Sequence, residues 1–281
     1  MVKSTEQMSK PKKALGQNFL VDKNVLLAFL SVATISPKDT VIEVGAGTGT
    51  ITKELAKQAK EVLAVEIDKD IFLQLEKNVS DLRNVKIVNS DILKFTRLDR
   101  HQARLVDNYV VVGAIPYQIT SPLIHKLLTA ENPPKTITFI IQYEVAKKIC
   151  AVPPNATYLS NFVSLYGTSK LTKKIKPFAF NPQPSVNSAI IHIEKHKTLP
   201  ATDDMLKWSA FLHRGFKHPR KMLGNIFGKE DLLKAGIPPQ KRAQELTLTE
   251  WENLYQMSKV KCKMSKPHLK TLKLEKFRFE I

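Results

Sequence analysis

The chain has 281 residues, enough for one large or two modest domains with a hydrophobic core. It carries 44 Lys and Arg against 26 Asp and Glu, and the net charge of +18 favours a polyanionic partner, either nucleic acid or an anionic membrane. No apolar run approaches the ~18 residues of a membrane span, and the start lacks the apolar core of a signal peptide, so we expect nucleic acid and no membrane. The two cysteines, Cys150 and Cys262, and the unclustered histidines predict a reducing, cytoplasmic location, no disulfide and no metal site.

Strand and helix patterns alternate along the first two thirds of the chain. The predicted strands cover 40–44, 61–67, 85–88, 110–112, 137–141 and 189–193, and the predicted helices cover 25–32, 51–59, 70–79 and 122–128. Strands that alternate with helices of about ten residues predict an α/β fold with a doubly wound, mostly parallel sheet.

Helical periodicity dominates after Pro200. Its segments are 205–216, 221–227, 231–235 and 249–257, and they predict a small all-helical domain over 198–258. We expect residues 1–13 to form a basic arm. For the basic tail, 259–281, an edge strand and a disordered segment both remain open.

A glycine loop, Glu43-Val-Gly45-Ala-Gly47-Thr-Gly49, follows the first predicted strand and opens a helix. Glycine lets the backbone approach a ligand closely and adopt angles that a side chain forbids. The Gly-x-Gly-x-Gly spacing differs from the Gly-x-Gly-x-x-Gly of dinucleotide loops. It therefore favours a smaller nucleoside ligand, with a plain turn as the alternative.

Two acids follow the next two predicted strands. Glu66 ends the second strand, where a carboxylate can bind both hydroxyls of a ribose. Asp91 follows the third strand and can accept from the amino group of an adenine ring, while the Ile92 backbone N–H donates to a ring nitrogen. Either acid alone could be a solvated strand end or a helix cap. Together with the glycine loop, they predict a pocket for S-adenosylmethionine.

The fourth predicted strand ends at Gly113 and turns through Ile115-Pro116-Tyr117. At the carboxyl edge of a parallel sheet, such a turn can present backbone carbonyls and a flat ring to a ligand. A planar base could stack there while its amino group donates to the carbonyls. Ala114, within this turn, brings no polar side chain.

Several motifs occur in a characteristic order. They are Leu15-Gly-Gln-Asn18-Phe-Leu20-Val-Asp22, the glycine loop, Glu66, Asp91, the Ile-Pro-Tyr turn and Phe180-Asn-Pro-Gln-Pro-Ser-Val-Asn-Ser-Ala189. This set resembles the ribosomal RNA adenine dimethyltransferase family, and most closely its small-subunit branch, which is similar to the erythromycin-resistance methylases and the mitochondrial transcription factor B proteins. The resemblance covers about residues 10–257, and Arg220-Lys221 and Arg242-Ala-Gln-Glu-Leu246 fit the family's helical C-terminal domain.

The resemblance implies a fold and roles for individual residues. It implies a Rossmann-like class I methyltransferase domain over 14–197, followed by a helical RNA-binding domain over 198–258. Asn18, through its amide, and Leu20, through its backbone, would close over the methionine end of S-adenosylmethionine. Tyr117 and Phe180 would sandwich the target adenine, which must leave its stack before its exocyclic amine can be reached.

The chain departs from the family's pattern at one position. Where the family has an Asn or Asp side chain in the Asn-x-Pro-Tyr turn, this chain has Ala114. That side chain and a backbone carbonyl would accept hydrogen bonds from the target amine. The carbonyls of Gly113, Ala114 and Ile115 remain, so we expect binding to persist and turnover to fall on the order of 100-fold or more.

Basic residues outside the pocket are candidates for RNA contact, although lysine runs are more often simply solvated. The candidates are Lys170, Lys173, Lys174, Lys176, Arg214, Arg220 and Lys221. The resemblance implies dimethylation of adenines near the 3′ end of small-subunit ribosomal RNA in an immature subunit, by a monomer. A non-catalytic RNA-binding assembly factor and a large-subunit RNA methylase are the alternatives.

Overall fold

The computed structural model describes residues 17–95, 109–198 and 202–264, with side chains described throughout except at 202–206 and 260–264. The predicted arm and nearly all of the predicted tail lie outside these ranges. The chain divides into two compact units. The first holds the described residues up to Lys147 together with Gly167–Lys197, and the second holds Lys148–Tyr166 and the chain from Thr198 onward.

Nine strands and ten helices are assigned within the described residues. In chain order they are β1 (Phe19–Leu20), α1 (Lys23–Ala33), β2 (Thr40–Val44), α2 (Thr50–Ala56), β3 (Glu61–Glu66), α3 (Lys69–Val79), β4 (Val85–Asn89), β5 (Tyr109–Ala114), α4 (Thr120–Leu128), β6 (Thr136–Gln142), α5 (Tyr143–Ile149), α6 (Tyr158–Tyr166), β7 (Gly167–Ile175), β8 (Phe180–Asn181), β9 (Ser188–Lys195), α7 (Thr202–Phe216), α8 (Gly224–Phe227), α9 (Lys229–Lys234) and α10 (Leu248–Met264).

The first unit is built on a seven-stranded sheet with the order β4-β3-β2-β5-β6-β9-β7. The first five strands in that order run parallel, and β9 and then β7 pair antiparallel. In register, Val44 lies opposite both Val65 and Gly113, so the carboxyl ends of β2, β3 and β5 meet at one edge. The predicted α/β fold with a mostly parallel sheet is confirmed.

The central strands are apolar because both faces of the sheet are covered. All five residues of β2 and the first five of β5 are buried, and Val and Ile dominate both strands, as is typical of a parallel sheet that is covered on both faces. Helix α1 packs Phe29 and Leu30 into this core, and Asp22 begins the helix because its side chain accepts from the Asn24 and Val25 amides. Helix α1 is thus anchored on the central strands, whose carboxyl ends carry the predicted ligand loops.

The sequence predicts no strand over β1, β7 or β8 and no helix over α5 or α6. Strand β7 is a lysine-rich edge strand with an irregularity between Leu171 and Lys173, and its polar composition hides the strand periodicity. Lysines are typical of such edges, because they prevent pairing with another chain. Strands β1 and β8 have two residues each, too few to show a pattern, and they pair with one another.

The second unit is helical, as predicted, and it is held together by aromatic side chains. Trp251 is completely buried and packs against Phe211, Phe216 and Phe227. Helix α6, which precedes the predicted start of this region at 198, also belongs to this unit. The domain limits 14–197 and 198–258 remain predictions. In neither unit is any described helix both long enough and apolar enough to cross a bilayer.

Candidate active site

The glycine loop lies between the end of β2 and the start of α2. Its glycines at 45, 47 and 49 have φ of 70°, 58° and 90°, in the left-handed region that side chains disfavour. A Cβ placed on Gly47 would lie 3.2 Å from the Phe19 ring, so a larger residue would push that ring away. Glycine at 47 therefore permits Phe19 to cover the loop.

Glu66 ends β3 directly beside the loop. One carboxylate oxygen, Oε2, accepts from the Gly47 amide at 2.9 Å, and Oε1 accepts from the Asp68 amide at 2.9 Å. Burial raises the pKa of Glu66, and these backbone hydrogen bonds oppose that rise. The carboxyl group is thus held rigidly, and each oxygen keeps a second lone pair for another donor.

A second acid, Glu43, lies beneath the loop on β2. Its Oε2 accepts from the Thr52 hydroxyl at 2.6 Å, and its Oε1 has no hydrogen-bond partner among the described residues. Burial raises the pKa of Glu43 to about 8, the Thr52 hydrogen bond opposes this, and the nearby Glu66 charge adds to it. Glu43 is therefore mostly a neutral acid at pH 7.

Asp91 and Ile92 follow β4 at the same edge of the sheet. The Asp91 side chain accepts from the Leu93 amide at 2.9 Å, and the Ser90 amide donates to the Glu66 carbonyl at 3.0 Å. Ile92 is buried, and Asp91 is partly exposed. The turn after β4 is thus tied to the end of β3.

The chain before α1 closes over this edge through the two-stranded sheet of β1 and β8. Phe19 lies opposite Asn181, and Leu20 lies opposite Phe180. The Gln17 amide donates to Asp68 at 2.8 Å, which joins the same segment to the loop after β3. The segment with Asn18 and Leu20 is therefore fixed at both ends.

The turn after β5 forms the other side of the site. Gly113 lies so close to β2 that a Cβ there would be 2.3 Å from the Val44 carbonyl oxygen. The Ile115 amide donates to the Ile140 carbonyl at 2.9 Å, which fixes the direction of the turn. The Ala114 carbonyl oxygen lies 3.5 Å from the position of a Cβ on Gly45, so this carbonyl faces the glycine loop.

Two aromatic rings lie beside this turn. The Tyr117 hydroxyl and Ser188 Oγ are 3.2 Å apart, within hydrogen-bond distance, and burial raises the pKa of Tyr117. Phe180 is only 4% exposed. Both rings are held in place, Tyr117 through its contact with Ser188 and Phe180 by its burial on β8, the strand that pairs with β1.

All of the predicted cofactor and catalytic residues line one cavity of about 280 Å³. They are Asn18, Leu20, Gly45, Gly47, Glu66, Asp91, Ile92, Ala114, Ile115, Pro116, Tyr117 and Phe180. The structure thus brings together residues from 18 to 180, and their individual roles remain predictions. No group of three His, Cys, Asp or Glu in the described ranges is arranged to hold a metal ion.

The predicted RNA-contacting residues fall into two groups. Lys170, Lys173 and Lys174 lie on β7 and Lys176 just after it, all exposed. Arg214, on α7 of the helical unit, donates to the Ile226 carbonyl at 2.7 Å and lies over the Phe227 ring. Arg214 therefore packs the helical unit, whereas Arg220 and Lys221 are exposed in the loop that follows α7.

Sequence reasoning assigned no role to two further residues of the site, Ser188 and Gln17. Ser188 lines the cavity and contacts Tyr117, and Gln17 lines it while contacting Asp68. Gln17 lies next to Asn18 in the first motif, and Ser188 lies in the motif that begins at Phe180. Membership of these motifs was the only feature of the sequence that could have pointed to Ser188 and Gln17 as site residues.

The chain is similar to known proteins over most of its length. A model of the ribosomal RNA adenine dimethylase family matches residues 8–259. A protein of Caldanaerobacter subterraneus subsp. tengcongensis named ribosomal RNA small subunit methyltransferase A is 36% identical over 258 residues, 87% of this chain and 96% of that protein. A protein of the same name from Geobacillus kaustophilus is 35% identical and covers 86% of this chain and 89% of its own.

Solved structures show the same fold. The 23S rRNA methyltransferase ErmE superposes with a TM-score of 0.69 at 25% identity, covering 85% of this chain and 99% of its own. A dimethyladenosine transferase from Plasmodium falciparum gives 0.70 at 23% identity, covering 86% and 98%. With a family match over nearly the whole chain and relatives of near-equal length, the chain belongs to the ribosomal RNA adenine dimethylase family.

Proposed function

We propose that this chain transfers methyl groups from S-adenosylmethionine to the exocyclic amines of adenines near the 3′ end of small-subunit ribosomal RNA, slowly because of Ala114. The observation that carries the proposal is the single cavity, which joins the glycine loop, Glu66 and Asp91 to the turn with Tyr117 and to Phe180. The curated relatives named above supply the small-subunit substrate.

The chemistry of the cavity lining supports S-adenosylmethionine as the cofactor. Its volume of about 280 Å³ is just below the ~300–1,000 Å³ typical of small-molecule sites. The bare backbone at Gly45 and Gly47 leaves room against the loop, and the fixed Glu66 carboxylate has lone pairs for ribose hydroxyls. Asp91 and Ile92 would hold the adenine ring, and Asn18 and Leu20 the methionine end.

The opposite side of the cavity suits a planar base. S-adenosylmethionine, when bound, supplies an electrophilic methyl group on a good leaving group, so the protein needs only to orient the attacking amine. Tyr117 and Phe180 would hold an extruded adenine by stacking, which is worth roughly 1–3 kcal/mol per base. The Ala114 carbonyl, which faces the glycine loop, would accept one hydrogen of the amine.

Ala114 limits the rate of this reaction. The amine of adenine is conjugated with its ring, so acceptors must hold its hydrogens and direct its lone pair toward the methyl carbon. At position 114 the side chain is a methyl group, and the carbonyls of the turn are the acceptors that remain. Removing one pre-positioned polar contact of this kind lowers turnover on the order of 100-fold.

The substrate is a folded RNA in an immature ribosomal subunit, with the chain acting as a monomer in the cytoplasm. The net charge of +18 favours binding to phosphates, and the exposed lysines of β7 lie in the same unit as the cavity. If about six phosphates are neutralised, affinity falls roughly a thousandfold between about 50 and 200 mM salt.

Ala114 also favours a second function, a non-catalytic assembly factor that binds the immature subunit and keeps the pocket as a sensor. Methyl transfer separates the two. We expect isotope-labelled methyl groups to enter unmethylated small subunits slowly, and calorimetry to detect S-adenosylmethionine binding. Cofactor binding without any methyl transfer, even after Ala114→Asn, supports the assembly factor; no cofactor binding contradicts both functions.

A further inference from the structure

A hydrogen bond joins the segment before α1 to the loop between β3 and α3. The Gln17 side-chain amide donates to Asp68 Oδ2 at 2.8 Å, across 51 positions of the chain. Gln17 lines the cavity, and Asp68, which follows the cavity-lining Ile67, is only 3% exposed. Hydrogen bonds to an ionised acceptor are among the strong ones, and shielding from water strengthens them further. The two segments are therefore tied together beside the cavity.

Asp68 is itself held rigidly by its own neighbours. Its Oδ1 accepts from the Asp70 amide at 2.9 Å and so caps helix α3, while its own amide donates to Glu66 Oε1 at 2.9 Å. The other carboxylate oxygen of Glu66 accepts from the Gly47 amide. A continuous path of hydrogen bonds thus runs from Gln17 through Asp68 and Glu66 to the glycine loop.

The rest of the segment before α1 is attached to a different part of the fold. Strand β1 pairs with β8, and the Val21 and Asp22 amides both donate to the Ala179 carbonyl, at 2.9 and 3.3 Å. These bonds do not involve β3 or its loop, whereas the bond from Gln17 does. Breaking the Gln17 bond should therefore loosen Gln17 and Asn18 while β1 stays paired and the chain stays folded.

We propose that Gln17 and Asp68 are a positioning pair that couples the two ends of the cofactor site. The inference rests on the proposed function, in which Glu66 holds the ribose and the segment with Asn18 and Leu20 holds the methionine end. Because Gln17 directly precedes Asn18, its bond to Asp68 sets the distance between these two ends before the cofactor arrives. A ligand that reaches both ends gains affinity from this preorganisation, and a ligand that reaches only the ribose end does not.

The first test compares two ligands of the full chain by calorimetry. S-adenosylhomocysteine has both ends, and adenosine lacks the methionine end. Gln17→Glu places a second carboxylate against Asp68 and should break the contact by repulsion. We expect affinity for S-adenosylhomocysteine to fall about five- to twentyfold and affinity for adenosine to change less than twofold. An equal loss for both ligands overturns the coupling.

Two control variants separate the pair from general effects on the site. Glu66→Gln should weaken both ligands, because both carry the ribose. Gln58→Glu adds the same negative charge just beyond α2, at the end of that helix away from the cavity, and should change neither affinity. A loss for S-adenosylhomocysteine in Gln58→Glu as large as in Gln17→Glu would assign the effect to net charge and overturn the pair.

A reversed pair gives a rescue that a merely structural role would not show. Asp68→Asn keeps an oxygen for the Asp70 amide and offers an N–H to the glutamate introduced by Gln17→Glu. The double variant should therefore bind S-adenosylhomocysteine within about threefold of wild type. Asp68→Asn alone should also bind nearly as well as wild type, because the Gln17 amide can rotate and present its oxygen. A double variant that binds no better than Gln17→Glu overturns the proposal.

Hydrogen exchange of the chain without any ligand supplies an independent readout. Backbone amides of residues 17–20 should exchange faster in Gln17→Glu and return toward the wild-type rate in the double variant. Unchanged exchange together with lowered affinity would mean that Gln17 acts by direct contact with the ligand, and it overturns the coupling. A wild-type chain that binds neither ligand contradicts the proposed function itself. A wild-type chain that binds both, with all variants alike, contradicts this inference alone.

Discussion

The two sides of the cavity are built differently. On the cofactor side, backbone amides fix the Glu66 carboxylate at 2.9 Å, and glycines with positive φ leave the loop backbone bare. On the base side, the rings of Tyr117 and Phe180 are held in place, but the residue between strand and turn is Ala114. In the proposed function, the first side offers fixed polar groups to the cofactor, and the second side offers only carbonyls and rings to the base.

This difference separates binding from turnover. Stacking and cofactor contacts act on the bound state, whereas an acceptor for the target amine acts mainly in the transition state. A chain that keeps the first set and lacks one acceptor should bind both ligands well and react slowly. The following changes test this comparison from the largest expected effect to the smallest.

Ala114→Asn should produce the largest change. An amide oxygen at the end of β5 would provide the acceptor that the alanine lacks, and we expect kcat for methyl transfer to rise on the order of 100- to 1,000-fold. Affinity for S-adenosylmethionine should change little, because the cofactor side is untouched. Labelled-methyl transfer to unmethylated small subunits measures the rate, and calorimetry measures the affinity.

Ala114→Leu is the matched control, since leucine is similar in size to asparagine and has no acceptor. It should leave kcat at or below the level of the unchanged chain. An equal rise in both variants, or no rise in Ala114→Asn, contradicts the acceptor role of this position.

The next largest effect concerns the buried acid beneath the glycine loop. Because the pKa of Glu43 is raised to about 8 in the folded chain, the unfolded chain loses this proton first as pH rises from 4.5. The protonated Glu43 therefore contributes its full stabilisation to the folded state below pH 4.5. This part of the free energy of unfolding is lost as the pH rises from 4.5 to about 8. The loss should be on the order of a few kcal/mol.

Glu43→Gln removes the proton and keeps an oxygen for the Thr52 hydroxyl. Urea unfolding at pH 5 and pH 8 should show the variant gaining stability relative to the unchanged chain at the higher pH. Glu61→Gln, at the partly exposed start of β3 where Glu61 pairs with Lys86, should show no such gain. A pH-independent difference between the chain and Glu43→Gln contradicts a neutral Glu43.

Much of this arrangement follows from the sequence, and the reason is local. The glycine loop directly follows the strongly apolar strand β2, and Glu66 is the last residue of the equally apolar strand β3. Their position at the carboxyl edge therefore follows from the rules of parallel sheets. The pairing of Leu20 with Phe180 has no such local signal, because it joins segments about 160 residues apart along the chain through strands of only two residues. The family resemblance, not the periodicity, predicted that both residues serve one site.

For the edge strand β7, the sequence predicted the chemistry of the side chains but not the secondary structure. Lys170, Lys173 and Lys174 indicate a solvated, basic segment, and this is correct for the side chains. The backbone hydrogen bonds to β9 that make the segment a strand depend on a partner about twenty residues later. Composition therefore predicted the surface chemistry and not the secondary structure.

Glu66→Gln tests the cofactor side with a smaller expected effect. Both carboxylate oxygens accept from backbone amides, and an amide nitrogen in place of one oxygen would face a donor. We expect affinity for S-adenosylmethionine to fall about 10- to 100-fold by calorimetry, as for a lost charged hydrogen bond. Glu61→Gln, at the other end of the same strand, should bind like the unchanged chain; equal affinities of all three contradict a ribose-binding role for Glu66.

Tyr117→Phe should have the smallest effect, and it separates the ring from its hydroxyl. The ring remains available for stacking, and the 3.2 Å contact with Ser188 is lost, so affinity for an adenine stem–loop RNA should fall only about two- to fivefold. Ser188→Ala should give a similar loss, and the double variant should lose no more than either single one, because both remove the same contact. Tyr117→Leu, which removes the ring, should lose about tenfold. If Tyr117→Phe and Tyr117→Leu weaken binding equally, the hydroxyl rather than the stacked ring holds the base, and the base side of the cavity must be assigned to hydrogen bonding.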